Sequence, residues 1–115
     1  MLDFARLFKA IGYSVSGFRD ALRDEPAFRQ ETTLALILIP LAVWLGDSNI
    51  ERALMIGALL IVLIAELLNS AIEAAVDRIG SEVNELSRKA KDLGSAAVFL
   101  ALALAVVIWA LMLLN

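Results

Sequence analysis

ALMIGALLIVLIAELLNSAIEAAVDRIG, Ala53 to Gly80, opens as an uncharged apolar run and then sets Glu66, Asn69, Glu73 and Asp77 into the same greasy pattern. No glycine or proline break stops a helix that starts near Ile50 or Glu51 before Gly80. At 1.5 Å per residue such a helix is on the order of 45 Å long, longer than a hydrocarbon core of about 30 Å. The four polar residues stand at i, i+3, i+7 and i+11, so they return to nearly one azimuth and form a stripe. If the span begins near Ala53, roughly 20 residues bring it to the boundary near Glu73, with Glu66 about 10 Å deeper. A carboxylate at that depth costs several kcal/mol (about 2.5 or more at the centre), and such residues face protein or water and carry function.

The rest of the chain agrees with a membrane setting. Of 115 residues 61% are hydrophobic, against about half in soluble domains. The net charge of −3 and the lack of a basic, aromatic-interleaved stretch argue against nucleic-acid binding. With no cysteine and no histidine, disulfides, thiolate or imidazole metal sites and Ser-His catalysis are excluded. Carboxylates, lysines and hydroxyls are left to do any chemistry. The N-terminus lacks the compact apolar core and small-residue cleavage site of a signal peptide.

Along the chain, Phe4, Leu7, Phe8, Ile11, Val15, Phe18 and Leu22 recur at helical spacing, with Arg6, Lys9, Arg19 and Arg23 mostly off that stripe. This predicts an amphipathic helix over 1–25, lying in a membrane interface or packed on protein. Asp24-Glu25-Pro26 breaks it and restarts a helix. The first apolar run, Thr32 to Gly46, is short for a span that needs about 20 residues, so Ala27 to Glu31 must contribute. Ser81 to Asp92 reads as a polar loop, and Leu93 to Asn115, free of charged side chains, as the third span. The expected architecture is an all-α membrane protein, one unit over 1–115, with membrane helices at about 27–47, 50–80 and 92–115. Trp44 and Trp109 fit interfacial anchors near the outer face. Cations cluster before the first span and after the second, with only Arg52 between the two, which puts the N-terminus and second loop in the cytoplasm and the C-terminus outside.

Carboxylates at Glu25, Glu66 and Glu73 beside a lysine-rich loop suit magnesium-assisted phosphoryl transfer. Mg2+ usually takes one or two carboxylates plus nucleotide phosphates, and Lys91 can neutralise phosphate charge. No GxxxxGK[ST] loop and no strand-linked GxGxxG is present, so these residues by themselves leave kinase as one option among several.

ELLNSAIEAAVDRIG (Glu66 to Gly80), ELSRKAKDLGSAAV (Glu85 to Val98) and DEPAFRQE (Asp24 to Glu31), with KAIGYS (Lys9 to Ser14), closely resemble the prokaryotic diacylglycerol kinases over nearly the whole chain. The resemblance implies a homotrimer of three-span subunits with a surface helix in a bacterial inner membrane, transferring the ATP γ-phosphoryl to a lipid alcohol with Mg2+. By matching motif, Glu66 resembles the family's catalytic base and Asn69 the residue that positions it or the substrate hydroxyl. Glu25 and Glu73 look like the carboxylates that hold the metal against ATP. Arg6, Tyr13, Glu82, Asn84, Lys91 and Asp92 fall where the family contacts nucleotide. Arg6, Ser14, Arg29, Gln30, Glu31, Glu66 and Ser95 are implied for lipid substrate, and Asp77 for helix packing. Val83 and Asn84 stand where closer relatives are expected to carry an aromatic or histidine, and Arg88 with Lys89 adds positive charge beside Lys91. Related undecaprenol kinase activity, a proton-coupled transporter relaying through Glu66, and a purely structural membrane subunit are the competing readings.

Overall fold

Pro26 decides the first boundary. Proline drives the residue before it out of helical conformation, and Glu25 accordingly sits extended at φ −115° and ψ 100°. It separates α1 (Phe4–Asp24) from α2 (Pro26–Leu45), where Pro26 occupies the first turn and needs no N–H partner. The computed structural model describes residues 3–80 and 84–114. Within them follow α3 (Asn49–Ile79) and α4 (Glu85–Leu113), so all four elements are α-helices. The last three are long and apolar enough to cross a membrane.

Local chemistry sets each end. Asp3 accepts from the Arg6 N–H at the start of α1. The Arg29 guanidinium reaches back from α2 to the Leu22 and Arg23 carbonyls (3.1 and 2.7 Å), which satisfies two acceptors at the end of α1. On the surface of α1, Arg23 pairs with Asp20 and Asp24, and its hydrogen bond holds the Asp24 carboxyl below the usual carboxylate range. Ser48 caps α3 by accepting from the Glu51 N–H, and Glu51 reaches back to the Asp47 N–H.

Arg52 closes the hairpin between α2 and α3. Its guanidinium donates to the Val43 carbonyl at 2.9 Å, the Gly46 carbonyl at 2.7 Å and Asn49 Oδ1 at 3.0 Å. Gly46 must be glycine for this, since a Cβ there would stand 2.6 Å from Arg52 Cγ. Arg52→Ala is expected to lose about 1.5–3 kcal/mol of stability, the range for hydrogen bonds involving a charged group, read as a lower unfolding midpoint in detergent micelles. An unchanged midpoint would show the clasp to be idle.

α4 begins at Glu85, well before the predicted start near Asp92. The polar stretch is helical because Asn84 accepts from the Leu86 and Ser87 N–H groups, and Arg88 pairs with Glu85 and Asp92 one turn away on either side. Charge density there marked a solvated helix end, which the eye takes for a loop.

α3 is the central helix, packed on α2 and, more extensively, on α4. The buried residues of α2 (Phe28, Ala35, Ala42) recur every seven positions, and α3, on which α2 packs, buries Met55, Ala58 and Val62. Alanines on both sides let the backbones approach closely, as membrane helices require. Near the hairpin end, the Trp109 indole donates to the Met55 carbonyl at 3.1 Å. Trp109 thereby also ties α4 to α3, whereas Trp44, 79% exposed, has no such tie among the described residues. In α1 only Ala21 is buried, and Phe4, Leu7, Phe8, Ile11, Val15, Phe18 and Leu22 all stand exposed. These side chains of α1 are therefore not covered by the described residues of this chain.

Candidate functional site

The buried face of α3, Met55, Ala58, Val62 and Glu66, continues at the same azimuth into Asn69, Glu73 and Asp77. The polar stripe is the lower end of the packing seam, where apolar contacts give way to acids and an amide. Glu66 is 7% exposed and is the buried charged residue among the described ones. From α2, Glu31 lies beside it, a second acid at the same level of the seam. Glu31 Oε2 and Thr32 Oγ1 are buried with no hydrogen-bond partner among the described residues. Unpartnered acceptors inside a membrane segment are costly, and an alcohol O–H is the kind of donor that would satisfy them.

One to two turns further, Asn69 Nδ2 donates to Glu73 Oε1 at 3.1 Å, which orients the Glu73 carboxylate. Asp77 then ties α3 to α4 through Lys91 at 2.7 Å. This matches the packing role expected of Asp77. It also engages Lys91, in an ion pair exposed enough to contribute little to stability. Asp92 is paired with Arg88 at 2.6 Å.

A cleft of 510 Å3 opens between α1 and α3, lined by Ser14, Asp20, Asp24, Glu25, Ser70 and Ala74 among others. Arg23 occupies Asp20 and Asp24, whereas half-buried Glu25 has no ion-pair partner among the described residues. Glu25 lines this cleft and Glu73 does not. Among the described residues no group of three or more acids is placed to hold a metal ion. A divalent cation bound with substrate phosphates needs no such cluster, because one or two carboxylates suffice, and Glu25 and Glu73 each offer oxygen donors of that kind.

The remaining predicted residues scatter. Arg6 and Tyr13 are exposed on α1, and Ser14 Oγ donates to the Ala10 carbonyl while lining the cleft. Arg29 spends its guanidinium on capping α1, and with Gln30 borders a shallow surface hollow on α2. Asn84 caps α4 and Ser95 is exposed on it. Glu82 lies outside the described residues. The sequence reading missed the approach of Glu31 to Glu66 and the closeness of α4 to Asn69. Neither has a local signal, since both depend on how neighbouring helices are set against α3.

Three apolar helices with a carboxylate buried at depth, continued by an oriented acid-amide pair, define a small helical membrane protein with an acidic site along its central helix. The chain belongs to the prokaryotic diacylglycerol kinase family, which it matches over residues 12–113. It is 52% identical to the diacylglycerol kinase of Escherichia coli K12 over 110 residues, 96% of this chain and 90% of that one. The Pseudomonas aeruginosa diacylglycerol kinase is 55% identical over 110 residues (96% and 89%), and that of Helicobacter pylori 26695 is 44% identical over 106 (92% and 83%). As a member of this family the chain is a lipid kinase, an enzyme that draws its phosphoryl group from a nucleotide.

Proposed function

We propose that the chain transfers the γ-phosphoryl of ATP to the primary hydroxyl of diacylglycerol, giving phosphatidic acid. The observation that carries this reading is Glu66, an acid almost wholly buried in a span of a chain 52% identical to a diacylglycerol kinase, with Glu31's unpartnered oxygen beside it.

Transfer is direct and in line. The lipid hydroxyl oxygen attacks the γ-phosphorus as the bond to the ADP oxygen breaks, and the hydroxyl proton passes to the Glu66 carboxylate. Asn69 and Glu31 hold the reacting groups around Glu66, while Lys91 leaves Asp77 to take phosphate charge. Glu25 and Glu73 would hold Mg2+, which when bound neutralises charge on the phosphates. Arg6, Tyr13, Glu82, Asn84 and Asp92 serve the nucleotide, and Arg6, Ser14, Arg29, Gln30, Glu31 and Ser95 the approach of lipid.

The exposed apolar side of α1 suits a helix lying in the membrane interface, its cations toward the headgroups. In this reading the N-terminus and the α3–α4 connection are cytoplasmic in a bacterial inner membrane, and the family resemblance carries the homotrimer.

The test is phosphate transfer from ATP by purified protein in lipid micelles with Mg2+, offered diacylglycerol and undecaprenol side by side. Preferential phosphorylation of diacylglycerol is expected. Preference for undecaprenol would change the substrate and keep the site, and no transfer to either would overturn the kinase reading in favour of a carboxylate relay.

A further inference from the structure

Gly94 lies inside α4, buried, with ordinary helical backbone, so no turn or positive φ requires glycine there. Glycine is a poor helix former, which leaves space as the reason for it. A Cβ built at Gly94 would collide with Asn69 Oδ1 and stand 3.4 Å from Asn69 Cγ and 3.6 Å from Ile72 Cδ1. The carboxamide of Asn69 therefore rests directly on the α4 backbone, in room that only glycine leaves.

The orientation of that carboxamide is dictated by chemistry. An ionised Glu73 carboxylate only accepts hydrogen bonds, so Asn69 must turn its Nδ2 toward Glu73, where it donates at 3.1 Å. Its Oδ1 is then turned onto Gly94, buried and without a hydrogen-bond partner among the described residues. A side chain at residue 94 would force the Asn69 carboxamide to move from this position, and with it the amide that donates to Glu73.

We propose that Gly94 is a positioning residue, whose missing side chain seats the Asn69 carboxamide so that it aims the Glu73 carboxylate at the metal-nucleotide end of the site. This rests on the kinase reading only through the role given to Glu73.

The experiment is a double-mutant cycle of Gly94→Ala and Asn69→Ala with two readouts. The first is the unfolding midpoint in micelles without nucleotide or metal. Gly94→Ala is expected to lower it in the native background, yet to leave it unchanged or raise it beside Asn69→Ala, since alanine is the better helix former once the collision is gone. The second is the Mg2+ dependence of phosphate transfer, where Gly94→Ala is expected to raise the half-saturating concentration by about 10- to 100-fold, the usual consequence of losing a partner behind a metal ligand. Gly57→Ala is the control, because a Cβ there meets nothing within 4 Å.

An equal drop in midpoint in both backgrounds would make Gly94 a packing residue that does not act through Asn69. A Gly94→Ala protein with native Mg2+ dependence would equally overturn the proposal. Absence of transfer by the unsubstituted protein would instead overturn the kinase reading, and the midpoint cycle would still decide the seat.

Discussion

Glu66→Gln should cut turnover by about 100- to 10,000-fold, the contribution of a positioned general base, while ATP affinity stays within about twofold. The separation follows from the site. Gln keeps the size of Glu at a position only 7% exposed, so the seam between α2 and α3 has no cavity to collapse into. It removes the one function an amide cannot perform, acceptance of the hydroxyl proton. The substitution also takes a potential charge out of a membrane segment. The variant should therefore fold at least as well as the native protein. Equilibrium ATP binding and single-turnover transfer to diacylglycerol measure the two halves, and turnover near the native rate would remove Glu66 as the base.

A different signature belongs to Glu73→Gln. Its side-chain oxygen still accepts from Asn69 Nδ2, so the local hydrogen bond survives while the carboxylate charge is lost. The half-saturating Mg2+ concentration should rise by about 100-fold or more, beyond what losing an outer partner of a ligand typically costs. Saturating metal should restore part of the rate, which it cannot do for Glu66→Gln. Titrating Mg2+ against initial rate for both variants separates a metal ligand from a base. An unshifted Mg2+ curve would take Glu73 out of the metal site.

Much of this molecule was legible before any coordinates. The long central helix, the polar stripe along it and the break at Asp24-Glu25-Pro26 all follow from residue spacing. The start of α4 was not, because Asn84, Glu85, Arg88 and Asp92 read as a solvated loop until their capping and ion pairs are seen together. Nor does residue spacing show that the Arg29 guanidinium caps α1 or that the Trp109 indole ties α4 to α3. In each case the residue type is visible in the sequence and its partner is not.

Residue order alone sets which segments are helical and apolar enough to cross a membrane, and that Glu66, Asn69, Glu73 and Asp77 share one side of a helix. Those properties are local, set by a rise of about 1.5 Å and a period of 3.6 residues and by the cost of charge in lipid. What that side meets comes from the packing of the helices: Glu31 beside Glu66, Gly94 beneath Asn69, Lys91 beside Asp77. Helix rotation and register are set by close packing of small side chains between neighbours, and nothing in one helix's own periodicity encodes the azimuth of the next.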